Sequence, residues 1–161
     1  MSGKPVVTRC EYCGAKTGGV EACVARINEL LAQAQQDARY AGVYRLAFDT
    51  FCMQHPERYG VSAKSYAAHL MGLCHGLEHA DRPNSYWAIP AWLNEPRDLE
   101  KPQLLPRRGD LTIASLHGAQ SPEEYAARVR GWAQSVWRAY DSQQALARTW
   151  LHRALGARTS Q

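Results

Sequence analysis

The sequence predicts an all-α protein: a helical bundle of about five helices with an irregular N-terminal metal-binding segment. Three observations carry this reading. Apolar residues recur at steps of three and four through most of the chain. Helix-start signals precede several of these runs. Little of the sequence alternates with the period of two that a half-buried strand requires.

Residues 1–19 are irregular, punctuated by Pro5 and by the pair Gly18-Gly19. From Val20 to about Arg39, Val24, Ile27, Leu30, Leu31 and Ala34 mark the apolar face of a first helix. A second runs from about Ala41 to Gln54, with Val43, Leu46, Ala47 and Phe51 on its stripe. It ends near Gln54 or His55, because Pro56 disfavours helical geometry in the residue before it. A third spans about Ser62 to His79 and carries Tyr66, Leu70, Leu73, Cys74 and Leu77.

Beyond the break at Asp81–Asn84, residues 85–93 hold Trp87 and Trp92 around Pro90, which predicts a short or broken helix. Residues 94–111, with Pro96, Pro102, Pro106 and Gly109, read as a long surface loop. Thr112–His117 fits a short strand or one helical turn equally well. Ser121-Pro122-Glu123-Glu124 is a helix start in which serine caps, proline takes the first position and Glu124 completes a capping box. That helix runs to about Tyr140. A last one, capped by Asp141, carries Leu146, Trp150, Leu151 and Leu155 before the final residues fray.

At 161 residues the chain suits one domain, 1–161, in four parts: a Cys-x-x-Cys knuckle (1–19), a first helical part (20–93), the loop (94–111) and the C-terminal helices (112–157). A chain of this size buries roughly 70% of its unfolded surface, enough for a real core. The five tryptophans, at 87, 92, 132, 137 and 150, read as core and helix-contact residues rather than as a ligand box. There is no apolar run near the ~20 residues of a membrane span, and no signal-peptide stretch. A cytoplasmic location is the expectation.

Five cysteines, at 10, 13, 23, 52 and 74, in a reducing compartment point to metal or redox chemistry rather than disulfides. Cys10-Glu-Tyr-Cys13-Gly14 is the sharpest motif. Two thiolates two residues apart reach one ion, and the glycine lets the backbone turn behind them. Thiolates select zinc or iron–sulfur over hard cations, and a structural zinc needs four ligands. Cys52 and His55, three apart at the end of the second helix, share a face and supply the second pair. The expected site is therefore Cys10, Cys13, Cys52 and His55, with zinc as the cofactor and Cys23 as the substitute for either late ligand. The competing readings are small buried cysteines and a redox pair or iron–sulfur site. Asp49 and His69 are candidates to orient a ligand from behind. For His69 the alternative is a hydrogen-bonded core histidine. His75 and His79 are four apart and could chelate, but no carboxylate-plus-histidine signature surrounds them, and they read as a solvated edge.

The runs Phe48-Asp49-Thr-Phe-Cys-Met-Gln54-His55-Pro56-Glu57, Ser62-Ala-Lys64-Ser65-Tyr-Ala-Ala-His69-Leu70, Gly72-Leu73-Cys74 and Trp132-Ala-x-x-Val-Trp137 join the Cys-x-x-Cys-Gly motif to give a resemblance. With these the chain resembles an uncharacterised bacterial family, domain of unknown function 5946. The resemblance implies a small helical protein in which Cys10, Cys13, His55 and His69 occupy family motif positions. It implies no reaction, substrate or partner. Where members carry histidines after the tryptophan segment, this chain has Asp141-Ser-Gln-Gln144.

Three functions fit these features. The first is a zinc-stabilised helical module with a binding or regulatory role, whose partner is another macromolecule, most naturally a protein. The second is a metal-dependent enzyme with His55, His69 and Asp49 in a site between helices, near Lys64 and Ser65. The third is nucleic-acid binding. The net charge of +4 comes entirely from residues 107–161, whose eight basic residues are all arginines set against four acids. Those arginines are spaced rather than clustered, which is also what a solvated helix face looks like.

Overall fold

A computed structural model describes residues 6–157. The expected punctuation at Pro5 and fraying of the last residues lie outside that range. Among the described residues every regular element is helical. The α-helices are α1 (Val20–Gln36), α2 (Tyr44–Gln54), α3 (Pro56–Tyr59), α4 (Ala63–Glu78), α5 (Ala88–Asn94), α6 (Pro122–Ala139) and α7 (Gln144–Ala157). Short 3-10 turns at Ala38–Val43, Pro83–Trp87, Ile113–Leu116 and Asp141–Gln143 join them. None of these helices is long and apolar enough to cross a membrane.

α2 and α4 lie side by side at the centre. α6 packs on α2, and α7 packs on α4 and α5. Phe51 and Met53 of α2, Tyr66, Leu70 and Leu73 of α4, Trp132 and Val136 of α6, Leu151 of α7 and the α6 cap residue Tyr140 are essentially inaccessible to solvent. Burial of each such side chain stabilises the fold by about 1.5–3 kcal/mol before entropy is counted.

Local chemistry sets several boundaries. Ser62 caps α4: its Oγ accepts the Ser65 N–H at 3.0 Å, and Ser65 Oγ accepts the Ser62 N–H at 3.1 Å. The Ser-Ala-Lys-Ser motif is thus a reciprocal capping box. At α6, Ser121 Oγ accepts from Glu124 N–H, but the Glu124 carboxylate reaches Gln120 N–H, one residue before the cap. Pro90 is tolerated in α5 because it stands in the first turn, where no intrahelical acceptor is needed. The ambiguous segment 112–117 is a 3-10 turn. Asp141 opens a 3-10 turn rather than capping α7. The 94–111 loop is irregular as expected, but not wholly superficial: Arg108 is buried and Ser135 Oγ accepts the N–H groups of Asp110 and Leu111.

Candidate metal centre

The N-terminal segment folds into a tight knuckle. The Cys10 N–H donates to the Ala15 carbonyl and the Gly14 N–H to the Cys10 carbonyl, both at 2.8 Å. Gly14 has φ +77°, in the left-handed region where a side chain would be strained. The turn brings the thiols of Cys10 and Cys13 toward the same point. Gly18 and Gly19, also at positive φ, then swing the chain into α1, and the Gly18 N–H ties back to the Thr8 carbonyl at 2.9 Å. Cys23 therefore falls in the first turn of α1, where the helix dipole favours a thiolate.

His55 comes from the end of α2. It is the cap residue, with φ −126° and ψ 48°, and its ring has left the helical path. The ring stacks on Phe51 with centroids 4.0 Å apart, and Tyr12 of the knuckle meets it edge-on. Nδ1 lies 2.7 Å from the Phe51 carbonyl oxygen. A carbonyl only accepts, so Nδ1 carries the proton and Nε2 presents its lone pair. That lone pair faces Cys10 Sγ at 3.5 Å.

The ligand atoms of Cys10, Cys13, Cys23 and His55 all lie within 4.8 Å of one another, a geometrically sound metal-binding site. Cys13 and Cys23 Sγ atoms are 3.8 Å apart, and Thr17 Oγ1 lies 2.9 Å from Cys23 Sγ. Cys10, Cys23 and His55 are buried and Cys13 is half-buried. The hydrogen bond with Cys13, helped by His55 and Thr17, holds the Cys23 thiol well below its usual range against the cost of burial. The same bond pushes Cys13 up.

Cys52 is not part of this cluster, and Cys23 occupies the place expected of it. The reason is His55. Residues three apart share a helix face only if both are helical, and His55 is not. Cys52 stays on α2, 1% exposed. Burial first, and the nearby Asp49 second, push its thiol far up, so it remains neutral.

Asp49 and His69 do not orient a cluster ligand either; the Phe51 carbonyl does that. They pair with each other instead, His69 Nδ1 to Asp49 Oδ1 at 2.8 Å, and the Tyr86 hydroxyl donates to Asp49 Oδ2 at 3.3 Å. His55 and His69 thus engage different partners, and the His55–His69–Asp49 convergence expected of an enzyme site does not form. His75, read as a solvated edge, is buried, with Nε2 2.7 Å from Ser85 Oγ.

Several supporting residues escaped the sequence reading. Gln54 is a buried hub: its amide donates to the carbonyls of Arg108 and Leu111 and accepts from the Trp132 indole at 2.9 Å. Arg108 forms a two-armed ion pair with Glu57 and also donates to the carbonyls of Gln54 and Tyr12. It thereby links the long loop, the end of α2 and the knuckle. Gln54-His55-Pro56 now has a physical meaning: a core hub, a ring aimed at the thiols, and the first residue of α3. A polar residue in an apolar run and its place in the resemblance run were the signals for Gln54; nothing local marked Arg108.

No curated protein and no solved structure matches the chain. One family model does, over a stretch that contains all four cluster residues and the Asp49–His69 pair. The chain belongs to the family of unknown function DUF5946, whose model matches residues 8–141.

Proposed function

We propose that the protein is a zinc-stabilised helical module in which the ion is structural, and that it acts by binding rather than by chemistry at the metal. The supporting observation is the spacing of the donors. Zinc bonds of about 2.3 Å to sulfur and about 2.0–2.1 Å to nitrogen in a tetrahedron imply edges of about 3.8 Å between sulfurs and about 3.5 Å from sulfur to nitrogen. Cys13–Cys23 measures 3.8 Å and Cys10–His55 measures 3.5 Å. In a multi-iron cluster some of the ligand atoms sit on different irons and stand further apart than the 4.8 Å within which all four lie here. Four protein ligands also fill a tetrahedral ion, which leaves no position for substrate. The cavities lined by Arg26, Tyr40 and Tyr125, by Arg45, Trp87 and Arg130, and by Lys101 and Trp150 have none of the four among their lining residues. A site of this kind ties the knuckle to the start of α1 and the end of α2.

Metal analysis of protein purified without added zinc tests this. The expected result is one zinc per chain, with three sulfur neighbours and one nitrogen by X-ray absorption. Cys23→Ser should lose the metal and Cys52→Ala should keep it. Less than about half an equivalent of zinc in the wild type, or a full equivalent in Cys23→Ser, would overturn the proposal.

A further inference from the structure

A second site lies in the cavity of about 480 Å³ between the end of α1, the start of α2 and the 83–87 turn. The floor is apolar, formed by the buried Ala34, Val43 and Leu46. The walls carry Arg45, Tyr86, Trp87 and Arg130, and no acidic residue lines the cavity. Arg45 is held in an aromatic corner, its guanidinium carbon 4.4 Å from the Tyr86 ring centre and 4.2 Å from that of Trp87. Stacking, helped by a hydrogen bond to the Tyr86 side chain, fixes the guanidinium plane and leaves its other N–H edges for an acceptor. Among the described residues neither Arg45 nor Arg130 forms an ion pair. The carboxylate whose field reaches Arg45 is Asp49, which is buried and already engaged by His69 and Tyr86. Trp87 is 53% exposed, whereas the other four tryptophans are buried.

We infer that this cavity binds a small organic anion, a carboxylate or phosphate monoester on a flat apolar body. Two cations that form no ion pair call for an anion. The aromatic wall and apolar floor call for a planar apolar group, and the volume lies within the range of about 300–1,000 Å³ typical of small-ligand sites. The site shares no residue with the metal cluster, so this inference stands or falls independently of the zinc.

The test is calorimetric titration of metal-loaded protein, its metal content measured in parallel, with 1-naphthoate and 1-naphthyl phosphate. 1-Naphthol and inorganic phosphate serve as controls. At least one of the two aromatic anions should bind one-to-one with a Kd under about 1 mM. Both controls should bind at least about tenfold more weakly, because each lacks half of the recognition. Arg45→Gln and Arg130→Gln, both at exposed positions, should each weaken binding about tenfold with metal content unchanged. In the NMR spectrum the indole N–H of Trp87 should shift on binding while that of the buried Trp132 stays in place. No saturable binding of either aromatic anion, equal binding of 1-naphthol, or full affinity in both arginine variants would overturn the inference.

Discussion

His55 donates its Nδ1–H to the carbonyl oxygen of Phe51, one turn back on its own helix, across 2.7 Å. The bond fixes the tautomer that leaves Nε2 free for a cation, and the Phe51 ring beneath holds the imidazole flat. The ring is thus preset by α2 itself. A metal at this site couples the knuckle to the packed centre of the bundle, because α2 is the helix on which α4 and α6 rest.

Chelation should therefore do more than loosen the N-terminus. Treatment with a strong zinc chelator should raise amide exchange in residues 6–23 and at the end of α2 together, and destabilise the whole chain. A loss of about 3 kcal/mol or more is expected, which lowers Tm by roughly 10 °C in a chain of this size. Hydrogen exchange by mass spectrometry and thermal unfolding before and after chelation measure both effects. A bundle indifferent to chelation would contradict the coupling.

Gly72 of α4 stands where a Cβ would come 2.5 Å from the Asp49 Cγ and 2.9 Å from its Oδ1. Asp49 has no room to retreat, being 1% exposed and held by His69 and Tyr86. Gly72→Ala should thus destabilise by about 1–3 kcal/mol despite alanine's higher helix propensity. Asp49→Ala should cost about 2–4 kcal/mol, since it leaves a void and strands two donors. Asp49→Asn, which keeps an acceptor, should cost less. Urea unfolding of the three variants gives the order.

Arg108 is 8% exposed and its partner Glu57 29% exposed. Arg108→Met should cost about 2 kcal/mol, less than the ~3–5 kcal/mol of a fully buried broken pair, because water still reaches Glu57. The 94–111 loop should lose exchange protection, and so should Tyr12, whose carbonyl Arg108 also holds. Metal content should remain at the wild-type value.

His75 is buried, and burial first, then the neighbouring His79, depress its pKa below the ordinary value of 6.5; Asp81 opposes and Arg82 acts in both directions. The sign follows from linkage. Below about pH 6.5 the unfolded chain takes up a proton that the folded chain refuses, so stability falls as the pH drops from 6.5 through the depressed folded value. Above 6.5 the group contributes no slope. His75→Gln should flatten that acid-side fall relative to the wild type, as read from urea midpoints at a series of pH values.

Helices were legible in the sequence wherever a stripe of apolar residues met a local stop or start. α4 between Ser62 and Glu78, and α6 from Ser121, follow from capping chemistry within a few residues of each boundary. α3 was not legible, since four residues carry no period. The apparent early start of the second helix at Ala41 is a 3-10 turn that reaches Val43, where the same apolar spacing serves a tighter winding.

The same division runs through the metal centre. Sequence by itself determined the knuckle, because Cys10, Cys13 and Gly14 act through neighbours a few bonds away, and it placed His55 as a candidate ligand beside a helix end. It did not determine the remaining sulfur. Cys23 and Cys52 lie near helix ends and look alike along the chain, and the helical three-residue rule favoured Cys52. Only tertiary structure decided between them: the turn at Gly18-Gly19 carries Cys23 back to the knuckle, while the non-helical cap at His55 parts that ring from Cys52. Local spacing governs what one segment can present. Which segments meet is set by long-range packing, and here by the few degrees of freedom that two glycines and one cap residue leave open.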